Sequence, residues 1–416
     1  MNEQPLASPL ASGNARIALP ALAGPKIERP DGKPLRLLVF LPSWLGDTVM
    51  ATPTLRLLRH YLPASVIIGL VRPGMQELLA GTDWLDDIAV ADRTTVLGPA
   101  KTASRLAVFK LDAALLLPNS FSAAMTARMA GISHRIGYDR DGRSLLLTHK
   151  LFAPARAAPH KGWAPVSAVD YYHTLALGLL GSMGVAIEPA DLRAAPPELA
   201  LSATQLAAAA ELLSRAGISS TDRYCVLNPG GNNPAKRWPI ERFAALAHHL
   251  VTVHRMKVLI NGSPAEAPLA RIIKQVIELD HPEDGGMVAC LPDLGISVGS
   301  LKGVIARSGL LVTNDTGPRH IAAAFGVPCV TLFGPTDHRW TTLPLRDGAP
   351  AETILLADPT LPDDLVADEE PDRCRIDRIS YDTVLAAVEA ELRRHKRPPG
   401  AEVDRRAAGD GDQLHQ

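Results

Sequence analysis

Residues 310–335 read LLVTNDTGPRHIAAAFGVPCVTLFGP. The run 310–313 is apolar and of strand length, and Pro318 has the rigid backbone suited to the first turn of a helix. Gly326 followed by Pro328 is a helix stop, after which a second apolar run begins. A helix that opens directly from a strand presents unpaired N–H groups and a positive dipole end, and both favour an anion. Yet Asp315 sits in that turn, a carboxylate that would repel a phosphate bound there. The placement of a negative charge beside an anion site is the question the rest of the chain has to answer.

The same alternation runs outward in both directions. From residue 35 the chain reads strand RLLVFLP, loop SWLGD and helix TVMATPTLRLLRHYL. Then come strand SVIIGLV, a helix near MQELLAG, strands DDIAVA and DAALLLP, and a helix around SAAMTARMAG. The pattern loosens between about residues 150 and 221, where a helical stretch leads through the proline-rich EPADLRAAPPEL to ATQLAAAAELLSRAG. It then restarts with YCVLNPG, PIERFAALAHHL, KVLING, APLARIIKQVIEL, MVACL and GSLKGVIARSG before reaching the opening stretch. Short apolar strands alternating with helices argue for parallel sheets covered on both faces. The chain is therefore expected to be α/β, with two Rossmann-like, doubly wound parallel-sheet domains whose ligands bind beyond the carboxyl ends of the strands. The expected division is a flexible extension over 1–34, a first domain over 35–195, a connector and helix over 196–221, a second domain over 222–395 and a disordered tail over 396–416. The last helical stretch, SYDTVLAAVEAELRRH, leaves open whether it packs back on the first domain.

With 416 residues, two domains are the first expectation. The formal net charge of −1 gives no global reason to expect a nucleic-acid partner. Four scattered cysteines with no CxxC read as buried reduced thiols rather than metal ligands. No apolar run approaches the roughly 20 residues that cross a bilayer. The first 34 residues lack a basic segment followed by an apolar core, so a cytoplasmic protein is expected.

Four loops that follow strands carry the chemistry. In PSWLGDTVMATP (residues 42–53), Asp47 reads either as a helix N-cap or as a general base. In NPGGNNPAKRWP (228–239), two glycines free backbone for close approach and Lys236 and Arg237 add positive charge before a helix. This is a plausible phosphate cradle, or else a solvent loop with Trp238 packed inward; neither a Walker loop nor a GxGxxG fingerprint occurs. In NGSPAE (261–266), Glu266 is placed to accept hydrogen bonds from ribose hydroxyls, or simply to favour the first turn of its own helix. In the opening stretch Thr316 and Gly317 offer approachable backbone, and His320, one turn in, is either a ligand or an ordinary core histidine. The DRD at 139–141 reads as a turn flanked by arginines rather than a metal-binding pair.

Three of these stretches, PSWLGDTVMATPTLRLLR, PAKRWP and TNDTGPRHIAAAFGVPCVTLFGPT, resemble in order and separation the ADP-heptose:lipopolysaccharide heptosyltransferases of glycosyltransferase family 9. The resemblance spans roughly residues 35–395, and PSWLGD with PAKRWP and RIGYDRDGRSLLLTH is most similar to the heptosyltransferase II branch. It implies the two-domain GT-B fold and an inverting, metal-independent transfer of heptose from ADP-L-glycero-β-D-manno-heptose to the inner core of lipopolysaccharide. Asp47 then matches the base of the acceptor-side amino-terminal domain. Lys236 matches the lysine on the donor diphosphate, and Glu266 an acidic residue near the ribose. Asp315, Thr316, Gly317 and His320 match the DTGxxH donor site, with Asn232 and Asn233 beside it at positions where relatives vary. No cofactor or metal is implied. The partners implied are a nucleotide-sugar donor and an anionic lipid-linked oligosaccharide at the cytoplasmic face of the inner membrane, met peripherally. Arg128, Arg135 and Arg143 are candidates to meet the acceptor's phosphates or carboxylates. A relative using another nucleotide sugar or acceptor, and a non-catalytic sugar-nucleotide binding protein, are the competing readings. On the heptosyltransferase reading the opening conflict dissolves: amides hold the diphosphate while Asp315 meets sugar hydroxyls or developing positive charge.

Overall fold

Alternate residues of the first apolar run point into two different cores. Leu37 and Val39 join one cluster and Leu38 and Phe40 another, so a strand with no polar face is the consequence of a sheet covered on both sides. The computed structural model describes residues 20–27, 33–91, 97–345 and 352–395. In chain order the first half is β1 (Arg36–Phe40), α1 (Leu45–Met50), α2 (Thr52–Tyr61), β2 (Val66–Val71), α3 (Gln76–Leu79), β3 (Asp87–Val90) and α4 (Gly98–Ala107). It continues with β4 (Ala113–Leu116), α5 (Phe121–Met129), β5 (His134–Tyr138), β6 (His149–Leu151) and α6 (Ala168–Ser182). The second half is α7 (Ala203–Arg215), β7 (Tyr224–Asn228), α8 (Ile240–Thr252), β8 (Lys257–Ile260), α9 (Ala267–Asp280), β9 (Val288–Cys290) and α10 (Val298–Arg307). It closes with β10 (Leu310–Asn314), α11 (Gly317–Phe325), β11 (Cys329–Phe333), β12 (Glu352–Leu356) and α12 (Tyr381–Arg394).

Both sheets are six-stranded, ordered β3-β2-β1-β4-β5-β6 and β12-β11-β10-β7-β8-β9. Every pairing is parallel. Numbered within its own half, the second order is the first read backwards. Each sheet therefore reverses direction between its first and fourth strands, and the loops after β1, β4, β7 and β10 flank the crevices where ligands bind in such folds.

Several elements depart from the sequence reading. The helix expected over TVMATPTLRLLRHYL is two helices meeting at Ala51, because Pro53 cannot donate into a continuous ladder. The strands β5, β6 and β12 and the helix α4 are additions. β6 and β12 are edge strands and β5 lies next to the edge; β5 and β12 are only partly buried in places, so their apolar signal is weak. Part of the extension read as flexible is ordered: Ala23 exchanges backbone hydrogen bonds with Lys150 on the edge strand β6, and Ile27 is buried in the first domain's core. Residues 1–19 and the tail 396–416 lie outside the described residues. The final helix α12 does not return to the first domain. Val384, Val388 and Leu392 bury it in the second domain's core beside α8 and α9, where the strands β7 and β10 already present an apolar face. All four cysteines are buried and free.

The two halves share a seam. Val49 of α1 and Leu78 of α3 enter the second domain's core with Leu301, Ile305 and Ile321, while Leu343 enters the first domain's. Beside it, Lys302 of α10 is fully buried, donating to Ala80 O at 3.0 Å and Gln205 Oε1 at 3.1 Å. Glu77 Oε2 accepts from Gly299 N at 2.7 Å across the same contact. Burial pulls the Lys302 ammonium down to about 7, against the upward pull of Glu77.

Candidate active site

Two glycines make the crevice narrow. A Cβ on Gly46 of α1 would lie 2.8 Å from His320 Nε2, and a Cβ on Gly317 of α11 would lie 2.8 Å from Leu45 Cδ2. Each helix thus carries a glycine where the other needs room, and α1 docks on the first turn of α11. Asp47 is the third residue of α1, and the N-cap position belongs to Trp44, so the capping reading of Asp47 fails. Its carboxylate takes no hydrogen bond from a described residue and instead faces Asp315 and Lys236 of the opposite domain. Burial, then repulsion from Asp315, pushes it up to about 6, with Lys236 pulling the other way.

Across the seam, Lys236 Nζ donates to Asp315 Oδ2 at 3.1 Å, joining the loop after β7 to the loop after β10. Arg319 NH1 stands 3.8 Å from the other oxygen of Asp315 and is itself fully buried against Glu352. Thr316 holds the N-cap position of α11, and its hydroxyl accepts from Asn228 Nδ2 at 2.8 Å. Pro318 has no N–H and Arg319 N donates to Thr316 O at 3.2 Å, so the amides left without a helical acceptor at this end are those of Thr316 and Gly317.

His320 is placed differently from its donor-site assignment. It is 3% exposed, its ring lies against Gly46, and its Nδ1 has no hydrogen-bond partner. Burial, then Arg319, holds it well below the ordinary histidine range, so it is a neutral packing residue of the seam. Glu266 is also committed locally. Its Oε2 accepts from Ser263 N at 2.9 Å and Ser263 Oγ at 2.7 Å in a capping box, and its Oε1 accepts from Gly231 N at 2.5 Å. Burial pushes its carboxyl up, but these bonds more than offset that and leave it lowered. Glu266 thereby fixes the glycine turn next to Lys236. Asn233 caps the short turn Pro234–Lys236 through Ala235 N at 3.0 Å, and Asn232 is exposed beside it. Trp238 is packed inward, donating from Nε1 to Ile379 O at 2.8 Å, so that reading of the loop and the placement of Lys236 toward the crevice hold together.

The arginines assigned to the acceptor are corrected by topology and burial. Arg143 is fully buried, with its guanidinium spent on Tyr138 O, Pro118 O and Asn119 Oδ1. Arg135 stands near the start of β5 and donates to Leu146 O at 2.6 Å and Ile132 O at 2.5 Å. Arg128 ends α5, which runs back from the carboxyl end of β4, so both it and Arg135 lie at the edge of the sheet opposite the crevice. A different arginine reaches the site. A cavity of about 230 Å³ opens beside Asp47, lined among others by Asn119, Arg140, Trp163, Tyr171 and Trp340. Arg140 lies 4.4 Å above the Trp163 ring, and its Nε is buried with no partner. The DRD stretch around it is a turn, with Asp141 at φ 54° and Gly142 at φ 71°.

The residues that hold the loops after β7, β8 and β10 in place escaped sequence reading. Asn261 Nδ2 donates to Asn228 Oδ1 at 2.6 Å, Asn228 reaches Thr316, and Asn314 Nδ2 donates to Pro229 O at 2.8 Å and Gly230 O at 3.0 Å. A signal was present: YCVLN, KVLIN and LLVTN each close an apolar run on asparagine. A side-chain amide there can donate and accept at once, so three neighbouring loops are stitched by one residue type.

Two doubly wound parallel sheets facing across a crevice, with the polar loops of both meeting in it, make up the GT-B architecture. The family model described as glycosyltransferase family 9 (heptosyltransferase) matches residues 100–357, and the chain belongs to that family. The lipooligosaccharide heptosyltransferase 2 of Haemophilus influenzae is 28% identical over 320 residues, 76% of this chain and 87% of the relative. The lipopolysaccharide heptosyltransferase 2 of Escherichia coli is 27% identical over 314 residues, covering 74% and 85%. The solved structure of E. coli ADP-heptose lipopolysaccharide heptosyltransferase II superposes with a TM-score of 0.68 at 25% identity, over 86% of this chain and 99% of that one.

Proposed function

We propose that this glycosyltransferase is an inverting, metal-independent heptosyltransferase of the heptosyltransferase II type. On this reading it moves heptose from ADP-L-glycero-β-D-manno-heptose to the inner core of lipopolysaccharide. The observation that carries the reading is the placement of Asp47 on α1, docked against the first turn of α11 and lining a cavity, where the charges of Asp315 and Lys236 both act on it. The similarity to heptosyltransferases 2 over most of both chains supports the choice of donor and acceptor.

In this proposal residues 35–195 form the acceptor-side domain and residues 222–395 the donor domain. The first amides of α11, around Thr316 and Gly317, and Lys236 hold the donor diphosphate and stabilise the charge that gathers on departing ADP. Asp315, released from Lys236 as the diphosphate takes that ammonium, faces the sugar. Glu266, Asn232 and Asn233 shape the loop that carries Lys236. The acceptor sugar enters the cavity beside Asp47, with Arg140 and Trp163 offering it a charge and a stacking face. Asp47 takes the acceptor hydroxyl's proton as that oxygen attacks the anomeric carbon from the side opposite ADP, so configuration inverts. A carboxylate at about 6 is a better base than an ordinary one and is still ionised at neutral pH. Among the described residues no helix is long and apolar enough to cross a membrane. The proposal also has the protein meet its lipid-linked acceptor peripherally, at the cytoplasmic face of the membrane, on the strength of the similarity to lipopolysaccharide heptosyltransferases.

The test is Asp47→Asn, assayed by mass spectrometry with ADP-heptose and core-oligosaccharide acceptors, alongside calorimetry with ADP. Product is expected to disappear while ADP binding stays within about twofold. Wild-type turnover in the variant removes Asp47 as the base, and product only with a different nucleotide sugar replaces the donor.

A further inference from the structure

At the far end of α8 from the crevice, three side chains converge that the transfer reaction does not use. His249 lies in the last turn of α8, His254 follows the helix, and Glu389 projects from α12. His249 Nε2 is 2.8 Å and His254 Nε2 is 2.6 Å from the same oxygen, Glu389 Oε1. All three ligand atoms lie within 4.8 Å of one another, and among the described residues no other His, Cys, Asp and Glu side chains make such a group. The imidazole rings are 5.6 Å apart at 60°, so their edges, not their faces, meet at the carboxylate.

We infer that His249, His254 and Glu389 form a binding site for one divalent transition-metal ion of the zinc class. The spacing is that of known zinc ligands, two histidines separated by four residues, with a carboxylate from a second element. Two neutral imidazole nitrogens and one carboxylate oxygen suit zinc, and the chemistry also admits nickel, copper and iron. The side chains are between 22% and 24% exposed, so the ion keeps a face toward water. Ligand bonds of about 2.0–2.1 Å set neighbouring donor atoms roughly 3.3 Å apart, so the two contacts to Glu389 Oε1, at 2.8 and 2.6 Å, need to open by only about 0.5–0.7 Å. Partly exposed histidine rings manage that by small χ rotations. The other carboxylate oxygen, Oε2, turns to Arg393 at 3.6 Å, which leaves Oε1 to the histidines. The negative end of the α8 dipole adds a favourable field for a cation.

The ion joins α8 to α12 on the outside of the donor domain. α8 spans about 20 Å, and its other end opens beside the Lys236 loop, so the site is separate from the transfer centre and serves to fasten the last helix. It does not rest on the heptosyltransferase reading.

The experiment uses the full chain stripped of metal with a chelator. Zinc chloride is titrated by calorimetry into the wild-type chain, His254→Ala and His249→Ala/His254→Ala, and cobalt(II) is added in parallel for its visible absorption. One zinc per chain is expected, with affinity reduced at least about tenfold by the single variant. The cobalt band should be lost in the double variant, and zinc should raise the melting temperature of the wild-type chain alone. Glu389→Gln, which keeps the volume and a hydrogen-bond acceptor, guards against loss of folding and is expected to weaken zinc as well. Equal zinc binding by wild type and the folded double variant, or no binding by the wild-type chain, overturns the assignment and leaves a hydrogen-bonded clamp.

Discussion

Replacing Gly46 with alanine tests the seam directly. The new Cβ would stand 2.8 Å from His320 Nε2 and nearer still to the adjacent carbon, where ordinary contact begins at 3.4 Å. His320 is buried and cannot swing into solvent, so α1 and α11 must part. A separation of roughly 1 Å is an overpacking strain of about 1–3 kcal/mol. If it is relieved by opening the crevice, it appears in turnover as a loss of about 5–160-fold. The loops proposed to hold the donor all belong to the second domain, whereas Asp47 travels with α1. The expected pattern is therefore a fall in kcat with the ADP dissociation constant changed by less than about twofold. Adding His320→Ala removes the obstructing ring, and the double variant is expected to recover part of the lost turnover, a coupling that independent sites would not show. Steady-state assay by product mass spectrometry and calorimetry with ADP measure both quantities. Wild-type kcat in Gly46→Ala, ADP affinity falling as much as turnover, or a double variant worse than either single change would refute the close approach as the reason for glycine.

Other consequences can be checked in the same chain. If Asp47 must be ionised to accept a proton, kcat/KM holds above a pH of about 6 and falls tenfold per unit below it, and a limb near the ordinary carboxylate value of 3.8 would contradict the buried placement. The same raised value has a stability sign. Between 3.8 and about 6 the folded chain holds more protons than the unfolded one, so this group's contribution to stability declines as pH rises through that window. Asp47→Asn is thus expected to raise the melting temperature at about pH 8 and to leave it unchanged near pH 3; an equal shift at both would point to packing instead. If Lys236 holds the donor diphosphate, Lys236→Ala removes a charge-assisted contact worth about 1.5–3 kcal/mol and weakens ADP about 10–100-fold by calorimetry. Arg143→Ala strands Tyr138 O, Pro118 O and Asn119, so denaturant unfolding should show a loss of about 2–4 kcal/mol, whereas an acceptor ligand would raise acceptor KM with stability unchanged.

The fold was legible because both sheets are covered on both faces. Leu37 to Phe40 and Leu310 to Val312 have nowhere to turn but into a core, and runs of that kind announce themselves without partners. Elements at the sheet margins, such as β12 with every residue only partly buried, carry no such imprint and were missed. Asp47, Lys236, Asp315, Thr316 and Gly317 stood out in sequence as candidates because each lies in a loop that follows a strand. The pairing of Lys236 with Asp315, 79 positions apart, came only from the register of β7 on β10.

Sequence by itself determined the two doubly wound halves, the loops that hold polar chemistry, and the resemblance that suggested a sugar-nucleotide donor. Tertiary structure alone decided what each polar group is free to do. Arg143 and Arg140 sit three residues apart on one turn, yet one is sealed under carbonyls and the other stands over a cavity. His320 and Asp315 share one motif, yet one is packing and the other faces the crevice. The physical reason is that hydrogen-bond partners, burial and neighbouring charges come from segments distant in the chain, and those three things set whether an ionisable side chain holds the fold or remains available for a ligand.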